Sequence, residues 1–270
     1  MMRLIQALMT QNPCYTAGRT ITVKGLMLHS VGCAQPSASV FINNWNRASY
    51  KNACVHGFID GNDGTVYQTL PWNHRGWHAG GSANNTHIGT EMCEPGCIKY
   101  TGGATFTCSD TTTARAVVKL TYEAAVELFA MLCKEYGLDP MADGVIISHK
   151  EGCARGVASN HGDPEHLWSQ LGTGYTMNTF RAAVKAALSE EDENMTQAQF
   201  DKMMADWQAR NNPVYKAMTD VPDYWKAEAQ AFKDAGAIKG DGVNELGVAR
   251  ETLKAAVICK RYVDAVSSLK

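Results

Sequence analysis

Two short apolar runs in this chain end at histidines, and this pairing limits the available folds more than any other feature. Residues 25–28 (Gly-Leu-Met-Leu) precede His29, and residues 144–147 (Gly-Val-Ile-Ile) lie just before His149. Runs of this length and composition are typical of buried strands. Asp163 follows in a loop bounded by glycine and proline. Two imidazoles and one carboxylate match the three protein ligands of a catalytic zinc site, which leaves a fourth position for water.

Each of these residues also has an ordinary structural interpretation. A lone histidine at a strand end can be a buried polar group with a satisfied hydrogen bond, and an aspartate before proline often stabilises a turn. The equivalent positions of His29 and His149 favour the metal-ligand hypothesis. His161, two residues before Asp163, supports it, because a hydrogen-bond donor beside a metal ligand can stabilise an oxyanion on the substrate.

Glu91 is a further candidate, because it lies in an otherwise mostly apolar run at residues 88–93. An unpaired carboxylate among apolar residues is energetically costly. One interpretation is an ion pair with a lysine or arginine. The functional alternative is a carboxyl group of raised pKa that takes a proton from water and passes it to a leaving amine.

Strand and helix patterns alternate along the first two thirds of the chain. Residues 55–60 and 65–70 read as two strands joined by Gly-Asn-Asp-Gly, which is strong hairpin chemistry. Helical spacing of apolar residues predicts helices at 3–11, 37–50, 121–136 and 176–188. We therefore expect an α/β fold, with a mixed central β-sheet flanked by helices.

The character of the sequence changes after residue 188. Residues 189–194 form a polar, acidic run that we interpret as a linker. Helical patterns follow at 196–210, 223–235 and 249–266, which predict a small all-α domain over residues 195–270. The catalytic domain is expected at residues 1–188.

Charge and hydropathy exclude several classes of protein. The formal net charge is −2, so nucleic-acid binding is disfavoured. No apolar stretch approaches the roughly 18–20 residues that span a bilayer, so no membrane partner is expected. The first ten residues carry one positive charge and too short an apolar run for a signal peptide. We therefore expect synthesis in the cytoplasm.

The nine cysteines favour a reducing compartment over a disulfide framework, because the number is odd and no CxxC pair is present. Cys93 and Cys97 are the closest pair. No second pair has metal-ligand spacing, so a structural zinc cluster built on them is not favoured.

Several of these motifs occur together in one order: Leu28-His29-Ser30, the 56–68 hairpin, Trp77-His78-Ala79-Gly80, Ile88-Gly89-Thr90-Glu91, and Ser148-His149 followed by His161-Gly162-Asp163-Pro164. Over about residues 15–188 the chain resembles the zinc-dependent N-acetylmuramoyl-L-alanine amidases. Their type-2 amidase fold is shared with phage lysozyme-like amidases and peptidoglycan recognition proteins. The motifs are specific in combination, although each is weak alone.

The resemblance implies a zinc ion held by His29, His149 and Asp163, and hydrolysis of the amide between N-acetylmuramic acid and L-alanine in peptidoglycan. By position, Glu91 would be the catalytic base, and His161 would stand where the family has a lysine. Phage members have a tyrosine before the hairpin histidine, where this chain has Val55. This departure places the weight of catalysis on Glu91.

Substrate-binding side chains are expected in the loop before Glu91. Trp77, His78, Asn84 and Asn85 would line the groove, since aromatic rings stack on sugars and amides bind peptide and N-acetyl groups. Trp77 as a plain core residue is a close alternative.

In the tail, residues 225–262 faintly resemble one S-layer homology module, which implies binding to a secondary cell-wall polymer. A packing or dimerisation bundle is the alternative for this domain. The lack of a signal peptide, the free cysteines and the appended tail suggest a phage or prophage endolysin that reaches the cell wall after release. Two other functions stay open: a cytoplasmic amidase that recycles muropeptides, and a non-catalytic peptidoglycan-binding protein.

Overall fold

The computed structural model describes residues 2–193 and 197–268. The chain divides into two compact units, Met1–Asp192 and Glu193–Lys270. Residues 194–196, which include the end of the predicted linker and the first predicted residues of the tail domain, lie outside the described part of the chain, as do residues 269–270.

The first unit contains a six-stranded sheet, a separate β-hairpin and six α-helices among its described residues. The sheet strands are β1 (Leu4–Gln6), β2 (Gly25–Ser30), β3 (Gly57–Ile59), β4 (Val66–Gln68), β5 (His87–Met92) and β8 (Ile146–Ser148), and the hairpin strands are β6 (Ile98–Gly102) and β7 (Thr105–Cys108). The helices are α1 (Pro13–Ala17), α2 (Ala38–Trp45), α3 (Thr111–Tyr136), α4 (His149–Ala154), α5 (Glu165–Leu171) and α6 (Met177–Glu193).

The sheet is mixed, with the strand order β1-β4-β3-β5-β2-β8. The β3–β4 pair is antiparallel, and the other four neighbouring pairs are parallel. Strands β5, β2 and β8 therefore end at the same edge, which is where open α/β sheets bind ligands. The predicted mixed sheet flanked by helices is confirmed.

Side-chain alternation gives the two sheet faces different environments. Leu26 and Leu28 of β2 point into the largest apolar cluster, which also contains Phe129 of α3 and Phe180 of α6. Met27, between the two leucines, belongs to a smaller cluster on the opposite face. Because His29 is two residues beyond Met27, its ring lies on this second face, away from the α3 core.

Helix α3 begins ten residues before the predicted start at Thr121. Asp110 caps it, because its Oδ1 accepts a hydrogen bond of 3.0 Å from the backbone of Thr113. The added residues begin with three threonines, which have low intrinsic helix propensity. At the other end Gly137 adopts φ 63°, a left-handed conformation that glycine accommodates without steric cost.

The predicted helix at residues 3–11 is wrong, because Leu4–Gln6 form the edge strand β1. This strand pairs in parallel with β4, and the backbone of Met9 donates a further hydrogen bond of 2.9 Å to Thr69. The division between the two units falls after Asp192, inside the predicted linker. Residues 189–193 continue helix α6 rather than forming a separate connecting segment.

The second unit is built around helices α7 (Gln197–Asn211), α8 (Asp223–Asp234) and α9 (Arg250–Ser267). Two-residue strands β9 (Val214–Tyr215) and β10 (Val248–Ala249) pair antiparallel. The unit predicted as all-α therefore also contains a short pair of β-strands. Trp225 and Ala229 of α8 and Leu253 and Val257 of α9 are in its apolar core. The helices match the predicted ones to within a residue or two at their described ends.

No helix within the described residues combines the length and apolar character needed to cross a membrane.

Replacing Phe180 with alanine should destabilise the first unit by about 3–5 kcal/mol, because it removes a fully buried ring from the main core. The ring contacts Phe129 and Tyr122 edge-on at centroid distances of 5.2 and 5.4 Å. Denaturant unfolding followed by circular dichroism measures the change. Met141→Ala is the control, because that side chain is 48% exposed and should cost less than about 0.5 kcal/mol. Equal effects of the two substitutions would contradict this assignment of the core.

Candidate metal and catalytic site

The parallel register of β2 and β5 places His29 beside Glu91. The two residues are direct partners in the ladder, so their side chains emerge on the same face of the sheet. Gly89 and Met27 are partners one step earlier on that face. Both His29 and Glu91 line a cavity of about 790 Å³ beyond the ends of these strands.

His149 reaches the same edge as the first residue of α4, directly after β8. Ser148 caps this helix, because its Oγ accepts from the backbone of Glu151 at 3.0 Å while the Glu151 carboxylate accepts from the backbone of Ser148 at 3.3 Å. This reciprocal capping box satisfies two donors at the helix N-terminus. Arg181 of α6 stabilises this helix start by donating hydrogen bonds to the Glu151 carboxylate and to the carbonyl of Ile146, both at 2.9 Å.

Asp163 is held by backbone contacts to both histidine-bearing segments. Its Oδ2 accepts from the backbone of Ser30 at 3.3 Å, and its carbonyl accepts from the backbone of Lys150 at 3.3 Å. A loop residue is thus fixed against β2 and α4 together, which explains how it meets residues distant in sequence.

The three predicted ligands come together in space. The Nδ1 atoms of His29 and His149 are 3.0 Å apart. Asp163 Oδ2 is 3.3 Å from Nδ1 of His29, and Oδ1 is 3.6 Å from Nδ1 of His149. All three residues are buried, and one ligand atom from each lies within 4.8 Å of the others. Among the described residues, this is the group of histidine, cysteine and acidic side chains that could hold a metal ion.

A chain of hydrogen bonds fixes the proton on the His29 ring. His78 Nε2 lies 3.1 Å from the carbonyl oxygen of His87, which can only accept, so Nε2 of His78 carries a proton. Neutral His78 then has a lone pair on Nδ1, which accepts from Nε2 of His29 at 3.0 Å. His29 therefore keeps its proton on Nε2 and presents the Nδ1 lone pair to Asp163, as a metal ligand requires.

Ser159 can fix the ring of His149 in the same sense. Its hydroxyl lies 3.3 Å from the carbonyl of Ala79 and 3.2 Å from Nε2 of His149. When the hydroxyl donates to the carbonyl, Oγ accepts from Nε2–H of His149, and Nδ1 is left unprotonated. Two imidazole lone pairs then face one carboxylate across a few ångströms, and these donors suit a divalent cation of borderline softness.

The pKa shifts of these groups are those expected of a site that binds a cation. Burial and the nearby positive charge of His29 lower the pKa of His149 to about 4, so its ring is neutral at pH 7. Burial opposes protonation of His29. When no cation is bound, however, a second proton on Nδ1 would be donated to Asp163, and this hydrogen bond with the charges of Glu91 and Asp163 outweighs burial and raises the pKa of His29. The histidine contacts in turn overcome burial and lower the pKa of Asp163.

Glu91 has no hydrogen-bond donor at Oε2 among the described residues, although this atom is buried. The ion pair with lysine or arginine that the sequence left open is therefore not seen at this atom. Burial, with smaller contributions from the charges of Asp163 and Glu94, raises the pKa of Glu91 to about 8. Such a carboxyl group is suited to accept and return a proton near neutral pH.

His161 and Trp77 lie where the sequence predicted, on the wall of the cavity. The exposed His161 ring is 4.5 Å from the ring of His149, centroid to centroid, and its Nδ1 is 3.1 Å from Ser159 Oγ. Trp77 is 46% exposed, which argues against the alternative of a plain core residue.

The side chains of the other three predicted substrate-binding residues make structural contacts within the protein. His78 lines the cavity as predicted, but both of its ring nitrogens are engaged within the protein, so it orients His29 rather than donating to a substrate. Asn84 is buried outside the cavity, and its Oδ1 accepts from the backbones of His78 and Ala79. The side chain of Asn85 accepts from Arg75 at 2.7 Å. These amides stabilise the loop, so the prediction that Asn84 and Asn85 line the groove is wrong.

A hydrogen-bonded cluster of polar side chains beside the predicted ligands was not predicted from the sequence. Glu94 is fully buried, and it accepts hydrogen bonds from the backbone of Gly32 at 3.0 Å and the hydroxyl of Tyr100 at 2.7 Å. The Tyr100 oxygen is also 2.7 Å from Nε2 of His166. Tyr100 and His166 line the same cavity. The available signal was a second glutamate three residues after Glu91.

Cys93 and Cys97 do not form a metal group. Cys93 is buried in an apolar cluster with Phe58, and Cys97 donates to the carbonyl of Asp110. The nine cysteines are all free thiols.

Residues 19–166, more than half of the chain, match the family model of N-acetylmuramoyl-L-alanine amidase. No curated protein matches the sequence. Among solved structures, the hydrolase AmiA of Staphylococcus aureus is similar at 17% identity and a TM-score of 0.52, over 72% of this chain and 85% of that one. A mutant endolysin from Bacillus subtilis matches at 20% identity and a TM-score of 0.46, over 68% and 99% of the two chains. The amidase AmiD of Escherichia coli gives 18% and 0.39, over 57% and 58%.

Gly89→Ala should weaken metal binding at least about tenfold, because displacing a residue that orients a ligand typically costs 10- to 100-fold. An added Cβ at Gly89 would lie 2.4 Å from the His78 ring, which holds His29. Isothermal titration with zinc measures the affinity. Gly96→Ala is the matched control, because its Cβ would meet only Pro36 at 3.7 Å. Unchanged zinc affinity in Gly89→Ala would contradict the positioning role of His78.

Proposed function

Because this chain belongs to the N-acetylmuramoyl-L-alanine amidase family, we propose that it hydrolyses the bond between muramic acid and L-alanine with zinc held by His29, His149 and Asp163. The convergence of these three buried ligands in the cavity is the observation that carries the proposal. Zinc at such a site acidifies water and polarises a carbonyl group.

Glu91 is the proposed proton carrier. Its raised pKa makes the ionised carboxylate a stronger base than an exposed glutamate, and a neighbouring dication would favour the ionised form. The carboxylate takes a proton from the attacking water and later delivers it to the departing nitrogen of L-alanine. Its place beside His29 puts both transfers next to the ligands.

His161 and Trp77 act on the substrate from the cavity wall. The His161 side chain donates a hydrogen bond to the oxygen of the scissile carbonyl as negative charge develops there. Trp77, which is 46% exposed and lines the reaction cavity together with Ala53, packs against the substrate.

The second unit is proposed to retain the enzyme on the cell wall by binding a secondary wall polymer. The segment that resembles an S-layer homology module has its own apolar core around Trp225 and Leu253. Tyr224 and Tyr262 are more than half exposed, and such rings can stack on sugars. Attachment to the polymeric substrate raises the local concentration of the catalytic unit. An endolysin that acts on the wall after release fits this organisation.

The zinc-loaded protein should digest purified sacculi and release intact stem peptides that carry a free L-alanine amine. A chelator should abolish release and added zinc should restore it, because the site supplies the reactive water. Mass spectrometry of the products and metal analysis of the protein provide the readouts. Cleavage within the peptide or the glycan would contradict the amidase assignment, and a strong preference for soluble muropeptides over sacculi would favour the recycling role.

Glu91→Gln should bind zinc with unchanged affinity and lose about 10²- to 10⁴-fold in kcat, the usual contribution of general acid–base catalysis. The substitution keeps the shape of the side chain and removes only its ability to carry a proton. Zinc titration and turnover of a synthetic muramyl peptide are measured on the same preparation. Unchanged turnover would remove Glu91 from the mechanism.

A further inference from the structure

A second cavity, of about 270 Å³, adjoins the reaction cavity. The two share Ala53 and Trp77 in their linings. The second cavity is formed by the segment around helix α1, the loop that precedes β3 and the loop that carries Trp77. A molecule extending from the metal ligands past Trp77 would therefore enter it.

The charged side chains that line the second cavity are all positive. Arg19, Lys51 and Arg75 line it, and its described lining contains no aspartate or glutamate. The whole chain carries a net charge of −2, so a cavity with three cations and no anion is not a reflection of composition. The positive charges of this cavity also act on Cys14, which lines it. A hydrogen bond with Cys54 and, after it, the charges of Arg75 and Arg19 outweigh burial and lower the pKa of the Cys14 thiol.

Arg75 is held in place before any ligand binds. Its Nε donates to Asn85 at 2.7 Å, and its guanidinium carbon lies 5.2 Å from the centre of the Trp77 ring. Stacking and one hydrogen bond fix the plane of the group, and its terminal nitrogens can then pair with a carboxylate. Asn85 therefore orients Arg75 and does not itself line either cavity.

We propose that the second cavity binds the free carboxylates of the substrate's stem peptide. This assignment rests on the proposed amidase function. In the substrate the peptide carries free carboxylates, whereas the sugar is uncharged because its lactyl group is in amide linkage. The substrate would then lie with its peptide past Trp77 and its sugar in the reaction cavity, which Tyr100 and Gly103 also line.

The test compares two synthetic muramyl tetrapeptides of one sequence, one with free carboxylates and one with each carboxylate converted to carboxamide. The wild-type enzyme should cleave the acid form with a kcat/KM about 3- to 10-fold higher, a range that corresponds to partly exposed ion pairs. Arg19→Gln and Lys51→Gln should each reduce this preference, and the double variant should remove it. Lys24→Gln, which neutralises an exposed lysine outside both cavities, should keep it.

Calorimetric binding of the free tetrapeptide, which has no scissile bond, provides a second measurement. The double variant should bind it about 3- to 10-fold more weakly than wild type and the Lys24→Gln control, with the difference diminishing in 0.5 M salt. Glycerol phosphate serves as a competing anion. If its own dissociation constant is lower than that of the acid tetrapeptide, and depends on Arg19, the carboxylate assignment is overturned in favour of a phosphate site.

The outcomes separate this inference from the proposed function. Cleavage of both substrates with equal efficiency by wild type and variants would overturn the second-cavity assignment and leave the amidase intact. Peptide binding that depends on Arg19 and Lys51, without cleavage of either substrate, would support the assignment and refute the amidase.

Discussion

Two imidazoles and a carboxylate converge on one buried space, and most of the surrounding architecture compensates for the cost of placing them there. Lone pairs from His29 and His149 approach to 3.0 Å, a separation that is unfavourable unless a proton or a cation lies among the donors. The parallel register of β2 with β5 and β8 sets the positions. The hydrogen bonds of His78 and Ser159 then orient each ring. The sheet thus sets the positions of the two histidines, and loop residues set the orientations of their rings.

The sequence could predict that His29 and His149 meet, because short apolar runs in a parallel sheet end at a common edge, whatever the rest of the fold does. The ring orientations could not be predicted. They depend on a backbone carbonyl of His87 and on a hydroxyl at Ser159, and neither contact leaves a pattern in the chain. The asparagines were misassigned for a related reason. An amide that serves a substrate and one that holds a loop have the same chemistry until burial is known.

Errors elsewhere arose where distant pairing decided the local conformation. Residues 3–11 have apolar spacing compatible with a helix, yet β1 takes its hydrogen bonds from β4, some sixty residues away. The second cavity is also non-local, because its three cations come from separate segments and are unremarkable individually. By contrast, the helices of the second unit follow local periodicity, and their predicted bounds were close.

The ion pair between Arg181 and Glu151 bears on where this catalytic module ends. The family match stops at residue 166, and a fragment trimmed there would keep every proposed metal ligand. It would lack helix α6, and with it the side chain that steadies the helix start bearing His149. The functional border of the module therefore lies beyond the recognisable motifs. Anyone grafting it onto a different targeting segment should make the junction after α6.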